Sequence, residues 1–125
     1  MFKINYCKFI FFTNIFVIVL LSVYPGSLLG LIFFGIDDVL PGSDKSHHFI
    51  AYFITTIFGL LAYSEKNIFL QLSFSLLLLG SILEIIQIWI PNRSFELLDM
   101  LSNTSGVVIG LGVIQIFNKI KVIKK

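Results

Sequence analysis

The chain has 125 residues, of which 57% are hydrophobic and only 13% charged, with a mean hydropathy of +0.97. Soluble domains carry about 25% charged residues, so this chain cannot coat a globular surface with polar groups. The composition excludes a soluble enzyme, and it excludes intrinsic disorder, which needs low hydrophobicity and high charge. A net charge of +2, with the basic residues mostly near the chain ends, excludes a nucleic-acid footprint. The 14 phenylalanines suit lipid contact better than base stacking. Cys7 is the only cysteine, so cysteine usage says nothing about redox compartment.

The length accommodates four membrane-spanning helices of about 20 residues each and no second domain. The first is expected over about 9–24, ending at Pro25-Gly26. Lys3 and Lys8 ahead of it also suit a secretory signal, but the apolar run is long for one. No small-x-small cleavage site follows Tyr24, so a retained helix is expected. The second is expected over about 45–63 behind Pro41-Gly42-Ser43, with Ser43 or Asp44 as a natural N-cap. The third runs over about 68–90, where Pro91 enforces a stop, and the fourth over about 96–118. The reading is an all-α, four-transmembrane-helix bundle forming a single domain over 1–125.

Lysines orient this topology. Lys3, Lys8, Lys66, Lys119, Lys121, Lys124 and Lys125 fall on one side, Lys45 and Arg93 on the other. The basic-rich side is cytoplasmic by the positive-inside rule, which puts both termini inside. The outer loops then hold Asp37, Asp38, Asp44, Glu96 and Asp99, leaving Glu65 for the inner side. The apolar stretch 28–36 is too short to span. It reads equally as a re-entrant or interfacial cover on the outer side and as an extension of helix one past a kink.

Polar residues are expensive inside a bilayer, so their placement carries information. Lys45, His48 and Tyr52 are spaced i, i+3, i+7 and share one helical face; His47 is rotated away by about 100°. Glu84 and Gln87 lie one turn apart, Glu84 about 10 Å below the expected end of its helix. A carboxylate at such a depth must be protonated, paired or hydrated. In the fourth helix, Asp99, Asn103, Gly106 and Gly110 fall within an arc of about 60°. Gly106 and Gly110, with Ser102 one step earlier, form a small-residue stripe for close helix packing. Asp99 occupies the first turn, where the helix dipole favours an anion.

Lys45, His48, Tyr52, Glu84, Gln87, Arg93, Asp99 and Asn103, with Asp44 beside them, can thus converge on a pocket opening outward. The plain alternative is an internal network of Lys45, Arg93, Glu84 and Asp99 that only holds helices together. His48, Glu84 and Asp99 could also ligate an ion. No HxxxH, HExxH or paired-cysteine spacing supports that, so neither metal nor cofactor is expected. Ser94, Ser102 and Ser105 have no activating partner and no nucleophile elbow.

These residues resemble the VanZ-like family of small bacterial membrane proteins. The family's approximate pattern is DKxxHF with an aromatic, ExxQ, a Pro-x-Arg turn, an acidic residue, and Asn with Gly three later. Here it reads DKSHHF at 44–49 with Tyr52, Glu84 and Gln87, Pro91-Asn92-Arg93, Asp99, Asn103 and Gly106, covering about 44–112. Asn92 stands where glycine is common. Helix one carries no motif. The resemblance implies a multi-pass protein of the bacterial cytoplasmic (inner) membrane, associated with low-level resistance to teicoplanin, a glycopeptide acting on lipid-linked cell-wall precursors.

The expected function is non-enzymatic: binding of a membrane lipid or lipid-linked ligand at the outer face, with Lys45 and Arg93 contacting phosphate or carboxylate. One alternative is an acid/base enzyme on an amphiphilic substrate, with Glu84 or Asp99 as general base and His48 as acid or relay. Another is a small proton-coupled transporter using Glu84, for which four helices are few unless the protein forms a homo-oligomer.

Overall fold

The computed structural model describes residues 2–26, 31–32, 43–63 and 67–123. Among them are four long helices and no strand: α1 (Phe2–Val23), α2 (Ser43–Ala62), α3 (Ile68–Gln87) and α4 (Leu97–Ile123). Three carry stretches long and apolar enough to cross a membrane: Ile4–Val23, Ile68–Gln87 and Leu97–Ile120. The 20 residues of α2 open with Lys45, Ser46, His47 and His48, which lowers the hydropathy of its first turns. Of the stretch 28–36, only Leu31 and Ile32 belong to the described residues. The choice between a re-entrant segment and an extended helix one lies outside them.

Local chemistry sets the helix ends. α1 stops just before Pro25, and Gly26 adopts a φ of 88°, a conformation that glycine takes without penalty. α3 ends three residues earlier than Pro91 alone suggests. Ile88, Trp89 and Ile90 donate to the carbonyls of Ile85, Ile86 and Gln87, a tightened i→i+3 turn that closes the helix. Pro91 and Asn92 then make a β-turn, closed by the Arg93 N–H on the Ile90 carbonyl at 3.2 Å. Proline in the second position and Asn92 at φ 60° in the third is the type II pattern, which explains the asparagine at a position where glycine is common. The Glu96 carbonyl accepts from Asp99 and Met100 N–H and starts α4.

Contacts at the helix ends show that the chain runs up and down. Lys8 near the start of α1 lies 5.0 Å from the ring centroid of Tyr63, just past the end of α2. Gln87 and Arg93, after α3, reach the end of α1. Lys45 and Glu96 join the starts of α2 and α4. α2 is central and touches the other three helices. Its parallel partner α4 packs on it backbone to backbone. A Cβ on Gly106 would stand 2.5 Å from the Phe49 carbonyl oxygen, and one on Gly110 2.9 Å from Thr56 Cβ. The expected glycine stripe therefore has its partner in α2.

The outside of the bundle is apolar, and its interior holds polar and ionisable side chains beside an apolar core. Leu70, Phe74, Phe16 and Ile116 are exposed, while Glu84, Gln87, Asp99, Asn103, Thr55 and Thr56 are buried. This is the reverse of a soluble domain, in which charged residues are almost never fully buried unless paired. Halfway along, Asn14 donates to Thr55 Oγ1 at 2.8 Å and to the Ala51 carbonyl at 3.3 Å, tying α1 to α2.

Candidate functional site

The N-terminal ends of α2 and α4 and the C-terminal ends of α1 and α3 lie together, so the polar residues of four separate segments share one end of the bundle. Shortening α3 changes the setting of Glu84. It sits in the last turn of the helix, three residues from its end, about 4.5 Å from the terminus rather than 10 Å. The dipole there is negative and disfavours a carboxylate, whereas Asp99 occupies the favourable first turn of α4.

His48 is the hub. Its Nδ1 is 2.9 Å from Asn103 Oδ1. Its Nε2 lies 3.8 Å from Glu84 Oε1 and 3.8 Å from Asp99 Oδ2. An amide oxygen only accepts, so Nδ1 carries the proton and donates, and Nε2 is directed at the two carboxylates. Glu84 is 1% exposed and Asp99 4%. Tyr52 and Asn103 complete the wall against Gly80: a Cβ on Gly80 would stand 3.1 Å from Tyr52 Oη and 3.2 Å from Asn103 Nδ2.

Lys45 links this cluster to the surface. Its Nζ is 2.9 Å from Glu96 Oε2 and 3.9 Å from Asp99 Oδ1. It also sits on an open groove of about 570 Å³ between α2 and α4, with Phe49, Ile50, Leu98 and Leu101 as apolar lining and Ser102 and Ser105 beside them. Ser102, expected on the packed stripe, lines this groove and donates to the Leu98 carbonyl.

Gln87 and Arg93 turn toward α1. Gln87 Nε2 donates to the Ser22 carbonyl at 3.4 Å. Arg93 Nη2 donates to the Leu21 carbonyl at 2.8 Å, and its Nε to Tyr24 at 3.3 Å. The guanidinium thus serves the last carbonyls of α1, which have no partner within their helix. The side chain of Asp44 lies outside the described residues. His47 is exposed, as expected from its rotation.

The structure adds residues that the sequence reading passed over. Glu96 binds Lys45, Gly80 makes room for Tyr52 and Asn103, and Asn14 joins α1 to the bundle. Gly80 had a legible signal, one turn before Glu84 on the same face. Leu21 and Tyr24 take part through backbone carbonyls, for which no side-chain pattern exists.

Three helices long and apolar enough to cross a membrane mark the chain as a membrane protein, with buried ionisable groups gathered at one end of the bundle. The family model VanZ/LLP1 matches residues 3–118, and the chain belongs to that family. The match takes in α1 as well as the motif-bearing part. No curated protein and no solved structure is significantly similar to the chain.

Proposed function

We propose that the protein is a four-span VanZ-like protein of the bacterial cytoplasmic membrane, with both termini inside and the polar end of the bundle facing outward. There it binds an anionic lipid head group or lipidated ligand and affects cell-envelope or glycopeptide susceptibility. The observation that carries this reading is the α2/α4 groove, which has an apolar floor and a lysine at its polar end. That is the shape and charge order of an anionic amphiphile. Lys45 is the head-group contact. Its bond to Glu96 is half exposed, and such pairs contribute about 0–1 kcal/mol, so an incoming phosphate or carboxylate displaces Glu96 at little cost. Arg93 supports the site by fixing the end of α1.

Mass spectrometry of co-purified lipid tests this reading. Wild type is expected to retain an anionic head group that Lys45→Ala loses and His47→Ala keeps. Identical lipid profiles for wild type and Lys45→Ala would remove it. A second reading, acid/base chemistry on the bound amphiphile, is favoured by one observation: the imidazole faces two buried carboxylates. It requires that Glu84→Gln keep the ligand and lose turnover.

A further inference from the structure

His48, Glu84 and Asp99 come from three different helices, yet one donor atom from each lies within 4.8 Å of the others. The Asn103 side chain holds Nδ1 at 2.9 Å and leaves Nε2 facing two carboxylate oxygens at 3.8 Å each. Those separations are too long for hydrogen bonds. They are close to the spacing of ligands around one ion: bonds of about 2.0–2.2 Å in tetrahedral geometry separate neighbouring donors by about 3.4 Å. The widest donor pair, within 4.8 Å, would have to close by about 1 Å around the ion. An imidazole whose far nitrogen is fixed by a side-chain amide has the outer-shell arrangement usual for a histidine ligand. Electrostatics favours a cation between two carboxylates that are almost fully buried, one of them at a helix C-terminus, alongside Lys45, whose Nζ is 3.9 Å from Asp99 Oδ1.

We propose that His48 Nε2, Glu84 and Asp99 bind one divalent transition-metal cation such as Zn²⁺, with Asn103 orienting the imidazole. Its donors are 36 and 15 residues apart in sequence and form no contiguous ligand motif. The site stands independently of what occupies the α2/α4 groove. His48, with 14% of its side chain exposed, is its most accessible donor.

The test uses the full chain in detergent, made without a histidine tag and stripped with chelator, then titrated with Zn²⁺ and with Co²⁺ as a visible-absorption probe. Wild type and His47→Ala are expected to bind one equivalent saturably and to gain thermal stability as Zn²⁺ rises. His48→Ala, Glu84→Gln and Asp99→Asn are expected to lose that equivalent, and Asn103→Ala to bind about tenfold more weakly. Should one variant not fold, the others carry the same comparison. Absence of saturable binding by wild type would overturn the proposal. So would binding that survives all three ligand substitutions, or that vanishes in His47→Ala.

Discussion

At the end of the bundle where α1 begins, Gly59 admits the ring of Phe11, and a Cβ there would stand 2.8 Å from both Phe11 and Leu72. Around them Leu60, Leu76 and Ile114 are buried, and Lys8 lies over Tyr63 at the edge. At the other end, Gly80 admits the side chains of Tyr52 and Asn103 and Gly106 admits the α2 backbone at Phe49 and Phe53, but the enclosed side chains include Glu84, Asp99 and His48. The packing device is shared and the contents are not. The first end is filled with apolar side chains and ring contacts and encloses no carboxylate among the described residues. Among the described residues, apolar packing alone closes the first end, so the ionisable groups at the other end are not needed for closure there; a ligand or an ion is what we propose for them.

Substitutions that disturb the shared packing should have the largest effects and should not distinguish the ends. Gly106→Leu drives a side chain into the Phe49 carbonyl and should cost about 3 kcal/mol or more, overpacking against backbone having no cheap relaxation. Gly112→Ala, whose Cβ meets nothing within 4 Å, should be neutral. Thermal unfolding in detergent reads both. Leu76→Ala at the apolar core should cost about 2–4 kcal/mol.

Arg93→Ala separates the ends more sharply. It removes charged hydrogen bonds to the carbonyls of Leu21, in the last turn of α1, and of Tyr24 just beyond it, each contributing about 1.5–3 kcal/mol. Protease sensitivity near residue 24 should rise, and Arg93→Lys should restore little, because an ammonium cannot reproduce the fork. An Arg93→Lys protein as resistant as wild type would show that the fork is dispensable. Asn14→Val should cost about 0.6–2 kcal/mol, the range for one interhelical polar contact in a membrane.

Orientation is tested without a change in stability. With Cys7→Ser as background, Ser94→Cys in the exposed turn before α4 should react with an impermeant thiol reagent on intact cells. Cys7 in the otherwise unchanged chain should not. Labelling in the opposite sense would invert the bundle.

Much of the fold was legible because bilayer chemistry is written in residue types. Long apolar runs marked the helices, and Pro25 and Pro91 marked their ends to within a few residues. The 60° arc of Asp99, Asn103, Gly106 and Gly110 became a buried face on α2. The Pro-Asn-Arg turn followed from the need for a positive φ at Asn92. Partner choice was not legible. The pairing of Lys45 with Glu96 and the docking of Arg93 on backbone carbonyls depend on where α4 begins and α1 ends, and α3 stops early through a tightened turn that no single residue announces. The three-helix meeting of His48, Glu84 and Asp99 was visible only as a set of residue types, since helices far apart in sequence set its distances.

Lys45→Gln asks most directly whether the polar end is a site rather than a clamp. Thermal stability and bound anionic lipid should be determined on the same preparation. A folded protein is expected that has lost the anionic head group, with stability lowered by no more than about 3 kcal/mol, because buried Asp99 loses a cation 3.9 Å away while the Glu96 pair contributes little. Unchanged lipid, or a protein that unfolds, would contradict the site reading.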